Sequence, residues 1–396
     1  MEHHCRRTAA SVLIVLLLLV PTAGFSQITT RDEQAALATL FQGGPQELTY
    51  TQQMQNAISV DQLRQLVASI EDRLGSFTGV EGEGNPYTLG FTNGSATANM
   101  VLNEQGEVAG LQFTQLVPRT GSLDEAVSAL LDRPGQTGIA IRRDGGTMLN
   151  RGSQQPLAVG SAFKLAVLRA LEEAVEDGTT GWDTVLELSA SDRSLPSGIV
   201  QEWPAGTAIT TETAAILMIS RSDNTATDML IRHVGRRAVE AHAPDSRPLL
   251  TTREAFLLKA DAQSEVRDEF LSASLTGKRA VLDALSGELP PATLFASGPV
   301  HPQIEWFFTT TQLARIIEEI DRTDILGVNP GPINPNDWQD YGFKGGSEPG
   351  VITLTLWLVA KDGSEYAVSA TQSRTDAPVD ANAFVSALQA VLAHLQ

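Results

Sequence analysis

The chain is expected to be an α+β protein built from two units, and two changes in hydrophobic period predict it. Between Thr30 and Leu74 apolar residues recur at helical spacing, first as Leu37, Leu40 and Phe41 and again as Val60, Leu63, Leu66, Val67 and Ile70. Beyond Gly75 the period falls to two. Tyr87, Leu89 and Phe91 share a face, Asn93-Gly94 offers a turn, one strand runs to Leu102, and another follows Glu104–Gly106 through Phe113. Helices followed by a curved antiparallel meander make a small unit that ends near Pro118. After the Arg-Thr-Gly-Ser linker, strand patterns stand near both ends of the remaining chain with helical patterns between them. That order predicts helices packed on an antiparallel sheet with strands from both ends, plus a helical lobe.

A leader is expected ahead of both units. Ala9 to Val20 is almost free of polar side chains, Pro21 breaks the run, and Thr22, Gly24 and Ser26 are small. Residues 1–26 therefore read as a secretory signal, too short for a membrane span, with export to the periplasm or the outside. Residues 27–118 and 119–396 are the two units. The one cysteine, Cys5, leaves with the leader, so no disulfide is expected. A formal net charge of −19 excludes a nucleic-acid partner and repels anionic membrane surfaces.

Within the larger unit, Ser122–Glu125 is a capping box opening a helix to about Asp132. Gly138 to Arg142, the Asp144-Gly145-Gly146 turn and a run before Gln155-Pro156 make a hairpin. An apolar helix around Ser161 stops at Asp177-Gly178, and further helices cover Thr211 to Ser220 and the residues through Ile231. Helical pieces follow at Thr252 to Leu258 and Glu265 to Leu285, then an irregular stretch from Gly287 to Pro302. Val351 to Val359, the Lys361-Asp362-Gly363 turn, Tyr366 to Ala370 and a helix through Phe384, Leu388, Val391, Leu392 and Leu395 close the chain.

The chemistry concentrates at three places. Ser161 and Lys164 stand three apart at the mouth of the apolar helix, so the amine can reach the hydroxyl and take its proton. A lysine titrates near 10.4 in water, and service as a base at neutral pH needs a shift of roughly 3 units, about 4 kcal/mol of destabilised charge. Burial supplies it, and Phe163, Leu165, Val167, Leu168 and Leu171 predict burial. Ser222-Asp223-Asn224 follows the next long helix. Ser222 is placed to relay a proton to a leaving group, and the Asn224 amide to hold a substrate amide. Lys344-Gly345-Gly346-Ser347 leads into a strand. Lys344 offers a positive charge to substrate and depresses the Lys164 pKa, while Gly346 lets substrate lie against the strand edge. The N–H groups of Ser161 and Ser347 would form an oxyanion hole. Taken singly, Ser-Asp-Asn is ordinary helix-cap chemistry and Lys-Gly-Gly-Ser an ordinary hairpin. Their order and context favour a site. His233, His242, His301 and His394 sit in no metal-ligand spacing and near no Gly-x-Ser-x-Gly elbow, so neither a metal, a cofactor nor a Ser-His-Asp triad is expected.

Ser161-Ala-Phe-Lys164, Ser222-Asp-Asn224 and Lys344-Gly-Gly together resemble the motifs of the serine β-lactamase and penicillin-binding family, with class A closest in order, over Gly121 to Gln396. With the smaller unit added, the chain is similar to secreted proteins of the clavulanic-acid-cluster type that join a nuclear-transport-factor-2-like or steroid-isomerase-like domain to a class A-like domain. Leu249-Leu-Thr-Thr-Arg-Glu254 and Ile304-Glu-Trp-Phe307 carry that second likeness. The resemblance implies a β-lactamase/transpeptidase-like fold for 119–396, acylation at Ser161 and a small-molecule substrate, with β-lactam hydrolysis first. An esterase, a D-Ala-type peptidase acting on cell-wall-like substrates, or a feeble penicillin- or peptidoglycan-binding protein are the alternatives. Two departures stand out. The Glu-x-x-Leu-Asn motif that supplies the class A deacylating glutamate is missing, leaving Glu288 and Glu305 as candidate substitutes against an ordinary surface or structural role for each. Gly345 stands where the family usually carries a hydroxyl that helps bind a substrate carboxylate.

Overall fold

The computed structural model describes residues 30–118, 121–296 and 298–396. The expected leader lies outside the described residues. The chain divides into two compact units, the second beginning at Gly121.

The first unit carries helices Thr30–Gln42, Gln52–Ala57 and Val60–Leu74. Ser59 starts the third with a reciprocal capping box to Gln62, which satisfies two otherwise unpaired N–H groups at its first turn. Four antiparallel strands follow in sequential order: Phe77–Glu81, Tyr87–Phe91, Gly94–Leu102 and Val108–Pro118. Two register irregularities in the last pairing bend the sheet. Phe41 stacks on Phe77 at 5.1 Å and meets Phe91 and Phe113 edge-on, so one helix residue gathers the aromatic part of the core.

In the second unit a five-stranded antiparallel sheet has the order Asp340–Glu348, Val351–Val359, Glu365–Ser373, Gln136–Arg143, Gly146–Arg151. Strands from both ends meet where Glu365–Ser373 pairs with Gln136–Arg143, from Tyr366 opposite Arg143 to Ser373 opposite Gln136. The first and last helices of the unit, Leu123–Leu131 and Ala381–Leu392, pack together. The helix Thr310–Glu318 packs on the sheet and joins it to the helical lobe. At the centre lies Lys164–Glu176, surrounded by neighbouring helices, with Leu165, Val167, Leu168 and Leu171 wholly buried. Each such side chain contributes about 1.5–3 kcal/mol on burial, which is why a helix apolar on nearly every side is stable only in this position.

Three boundaries differ from the sequence reading. Glu265 to Leu285 is two helices, Ser264–Ser272 and Leu275–Ala284, because Ala273 is extended and Ser274 caps the second by accepting from the Gly277 N–H. Lys344 lies inside its strand rather than before it. The Ser161 segment begins as a 3₁₀ turn, Gly160–Phe163, before the α-helix starts at Lys164.

Candidate active site

The 3₁₀ turn that carries Ser161 is held from two sides. Leu157–Ala158 pairs with Phe307–Phe308, and the Val159 N–H donates to Trp306 O at 3.0 Å. The Trp306 ring stacks on Phe163 at 4.2 Å, and its Nε1–H donates to Leu250 O. On the other side the turn meets the edge strand at Gly346. A Cβ there would stand 2.0 Å from Val159 O, 2.6 Å from Ala162 N and 2.8 Å from Ser161 N. Only glycine permits that approach. Gly160, at φ +50°, faces the Ser347 backbone N: a Cβ on it would stand 3.1 Å away. The backbone N–H groups of Ser161 and Ser347 therefore stand side by side at the crossing of turn and strand.

Asp223 builds the second wall. Its fully buried carboxylate caps the helix Asn224–Val234 through the Ala226 N–H and also accepts from the Ile199 and Val200 N–H groups. This clamp fixes Ser222 in the left-handed region at φ +53°, which costs a non-glycine residue about 1–2 kcal/mol. Ser222 O accepts from Ser197 Oγ at 2.6 Å and from Lys164 Nζ at 2.5 Å. The conformation is thus held by the contacts around it.

Lys164 is wholly buried, and its Nζ has three partners: Ser222 O, Ser222 Oγ at 3.2 Å and Asn224 Oδ1 at 2.7 Å. Burial, reinforced by the charge of Lys344, holds its pKa well below the ordinary lysine value. The Ser161 hydroxyl is not among these three partners, so the amine faces Ser222 and Asn224 instead of Ser161. Lys344, also buried, approaches Ser222 Oγ from the other side at 3.0 Å and donates to Gly345 O at 2.5 Å. Burial lowers its pKa to about 7. One hydroxyl is therefore bracketed by two amines that burial drives toward the neutral form.

Asn224 lines the cleft; its Nδ2 donates to Leu195 O at 2.9 Å and its Oδ1 accepts from Lys164 Nζ, which aims the lysine, while the amide has a second N–H and a second lone pair beyond these two bonds. Glu288 is exposed and is not part of the cleft wall. Glu305 is brought alongside the Ser161 turn by the Val159–Trp306 bond, yet its buried carboxyl turns to Lys259, which also holds Glu348 at 2.5 Å. Burial, followed by the Glu348 charge, raises the Glu305 pKa well above the carboxylate range, and Glu305 Oε2 has no hydrogen-bond partner. The Lys259 ammonium between the two carboxyls was not legible in the sequence. Lys259 and Glu348 lie far apart along the chain, and neither stands in a motif.

Ser161, Ser222, Asn224, Lys344, Gly346 and Ser347 all line one cleft of about 590 Å³. Among the described residues no cluster of His, Cys, Asp and Glu could hold a metal ion, and no helix is long and apolar enough to cross a membrane.

Residues 122–270 match the model of the beta-lactamase enzyme family, a span that contains Ser161, Lys164, Ser222 and Asn224 and ends before Lys344. No curated protein matches the chain. Among solved structures, a beta-lactamase from Sphaerobacter thermophilus aligns with 20% identity and a TM-score of 0.49, over 69% of this chain and 95% of its own. A beta-lactamase from Xanthomonas campestris aligns at 17% identity and a TM-score of 0.49, over 69% of this chain and 96% of its own. The structure described as PBP-A aligns at 16% identity and a TM-score of 0.47, over 71% of this chain and 98% of its own.

Proposed function

We propose that the chain is an exported serine acyl hydrolase of the β-lactamase-like kind, acylated at Ser161, with a nuclear-transport-factor-2-like accessory unit ahead of the catalytic one. The observation that carries this reading is the bracketing of Ser222 Oγ by Lys164 and Lys344 in the cleft that Ser161 lines. A substrate carbonyl oxygen directed at the Ser161 and Ser347 N–H groups would have its developing charge stabilised by two fixed donors. Ser161 Oγ attacks the carbonyl carbon, neutral Lys164 takes the hydroxyl proton as substrate draws the two together, and Ser222 passes a proton to the departing atom. Lys344 steadies Ser222 and any negative charge on that side. β-Lactams and acyl esters both satisfy this first half-reaction.

The second half is slower. Hydrolysis of the acyl-enzyme calls for a carboxylate base, which typically contributes about 10² to 10⁴ in rate. Glu305 stands beside the Ser161 turn, but burial raises its pKa and its carboxyl is turned to Lys259. With a chromogenic penicillin or cephalosporin, a burst followed by slow turnover is expected, together with a mass adduct on Ser161 that Ser161→Ala removes. An adduct that persists on another serine in that variant would overturn the nucleophile assignment. Fast, burst-free turnover would instead reveal an active deacylation base.

A further inference from the structure

We infer that Lys259 and Glu348 are positioning residues for the acylation of Ser161: the bond between them holds the end of the edge strand to the Ser161 turn and so fixes the spacing of the Ser161 and Ser347 N–H groups. The inference rests on the acylation proposed above and adds the device that keeps two donors from separate elements aimed at one oxygen.

The contact at Gly346 sets only how near turn and strand can come. Among the described residues no backbone hydrogen bond joins residues 158–163 to the strand Asp340–Glu348, which pairs on one side alone, with Val351–Val359. Such a stop resists compression, while the dispersion attraction across it is small for each atom pair. Lys344 ties the strand to Ser222, three residues before Ser347. The end of the strand requires a tie of its own.

Lys259 supplies it. This residue ends the helix Thr252–Lys259, and the Arg267 guanidinium braces it on both sides by donating to Leu258 O at 3.0 Å and Ala260 O at 3.1 Å. The buried Nζ donates to both Glu305 and Glu348. Each carboxyl belongs to one side of the crossing. Glu348 follows Ser347 directly, whereas Glu305 precedes Trp306, whose carbonyl receives the Val159 N–H and whose ring stacks on Phe163. One ammonium thus joins the neighbour of the strand's donor to the segment that braces the turn. Burial opposes the charge of Lys259, and the Glu305 and Glu348 charges overcome that and raise its pKa, so the bridge keeps its cation at neutral pH. The Phe295 ring centre stands 5.9 Å from Nζ, and Phe256 meets Phe295 edge-on at 5.2 Å. Both rings line the cleft, so the ammonium lies behind an aromatic wall, where low dielectric strengthens its bonds.

Removing Lys259 would leave two carboxyls facing each other without a cation, so the test removes Glu348 and keeps the Lys259–Glu305 pair. Glu348 is partly exposed at the cleft, and its replacement should leave the fold and its unfolding midpoint standing. Wild type, Glu348→Ala and Glu348→Gln, each as the full chain, are compared in single-turnover acylation by the phenyl ester of phenylacetic acid. The Ser161 Oγ–carbon bond forms, the carbon–aryloxy bond breaks, and the hydroxyl proton ends on the phenol. Glu348→Ala should lower the limiting acylation rate about 10-fold with the half-saturating concentration within about twofold of wild type, because the loss falls on the developing oxyanion and not on binding. Glu348→Gln keeps an oxygen for Lys259 Nζ and should recover to within about threefold of wild type. Unchanged acylation in Glu348→Ala overturns the inference, and so does a loss carried by half-saturation or one equally large in Glu348→Gln. In each of those cases a wild-type phenylacetyl adduct on Ser161 leaves the nucleophile standing. If wild type forms no such adduct, the catalytic reading itself falls, and this inference with it.

Discussion

Lys344 shows how one buried side chain ties stability to pH. Its pKa falls to about 7 in the fold, against about 10.4 for a lysine in an unfolded chain. Between those values the unfolded chain binds a proton that the folded chain does not, so this residue makes stability rise with pH across roughly 7 to 10, by at most about 1.4 kcal/mol per unit. Below pH 7 both states carry the proton and the slope from Lys344 vanishes. Asp228 acts in a separate window: burial raises it to about 7, so the folded chain holds the extra proton and stability falls between about 4 and 7. Lys344→Met should therefore reduce the upper slope, to which Lys164 also contributes, and leave the lower one. Urea midpoints for both proteins at pH 5, 7 and 9.5 check this, and an unaltered rise from 7 to 9.5 in the variant would assign the slope elsewhere.

At the scale of elements, the site is a crossing between a 3₁₀ turn and an edge strand, and Gly346 sets their separation. A methyl at that position would meet Val159 O, Ala162 N and Ser161 N, all backbone atoms that no rotamer change can move away. Gly346→Ala should push the strand off the turn, separate the Ser161 and Ser347 N–H groups, and cut acylation by about 10² or more while the protein stays folded. Acylation within threefold of wild type, at an unchanged unfolding midpoint, would show that these two donors are not the oxyanion hole. Much of this was legible beforehand. Ser161, Lys164, Ser222, Lys344, Gly346 and Ser347 were readable because motif order and local context mark them, and the apolar run after Ser161 announced its central helix. The bond from Asn224 to Leu195 O was not readable, since Leu195 belongs to a loop with no sequence signature. Nor was the Phe343 ring over Gly345 and Gly331, because a contact between an aromatic ring and absent side chains leaves no pattern in a sequence.

Over the whole molecule, the period changes near Gly75 and the strands at both ends of 121–396 made the two-unit plan visible, because antiparallel meanders and terminal hairpins write themselves locally. The helix Thr310–Glu318 that joins sheet to lobe went unread between two irregular stretches, although its capping box of Thr309 and Gln312 was there to find. The larger unit holds its own core: the buried cluster around Phe163, Leu168, Met218, Leu230 and Leu313 draws only on residues after Gly121. The smaller unit likewise gathers its core from Leu37, Leu40, Ile70, Tyr87 and Met100. Two closed cores predict two independent folding units. A chain of residues 121–396 should therefore fold with a cooperative unfolding transition and keep acylation of Ser161 within about threefold of the full chain, because every residue lining the cleft lies in that segment. Mass spectrometry of the ester adduct, beside calorimetry of the shortened and full proteins, decides it. A segment that aggregates, or that folds and no longer acylates, would mean that residues before Gly121 complete the catalytic unit.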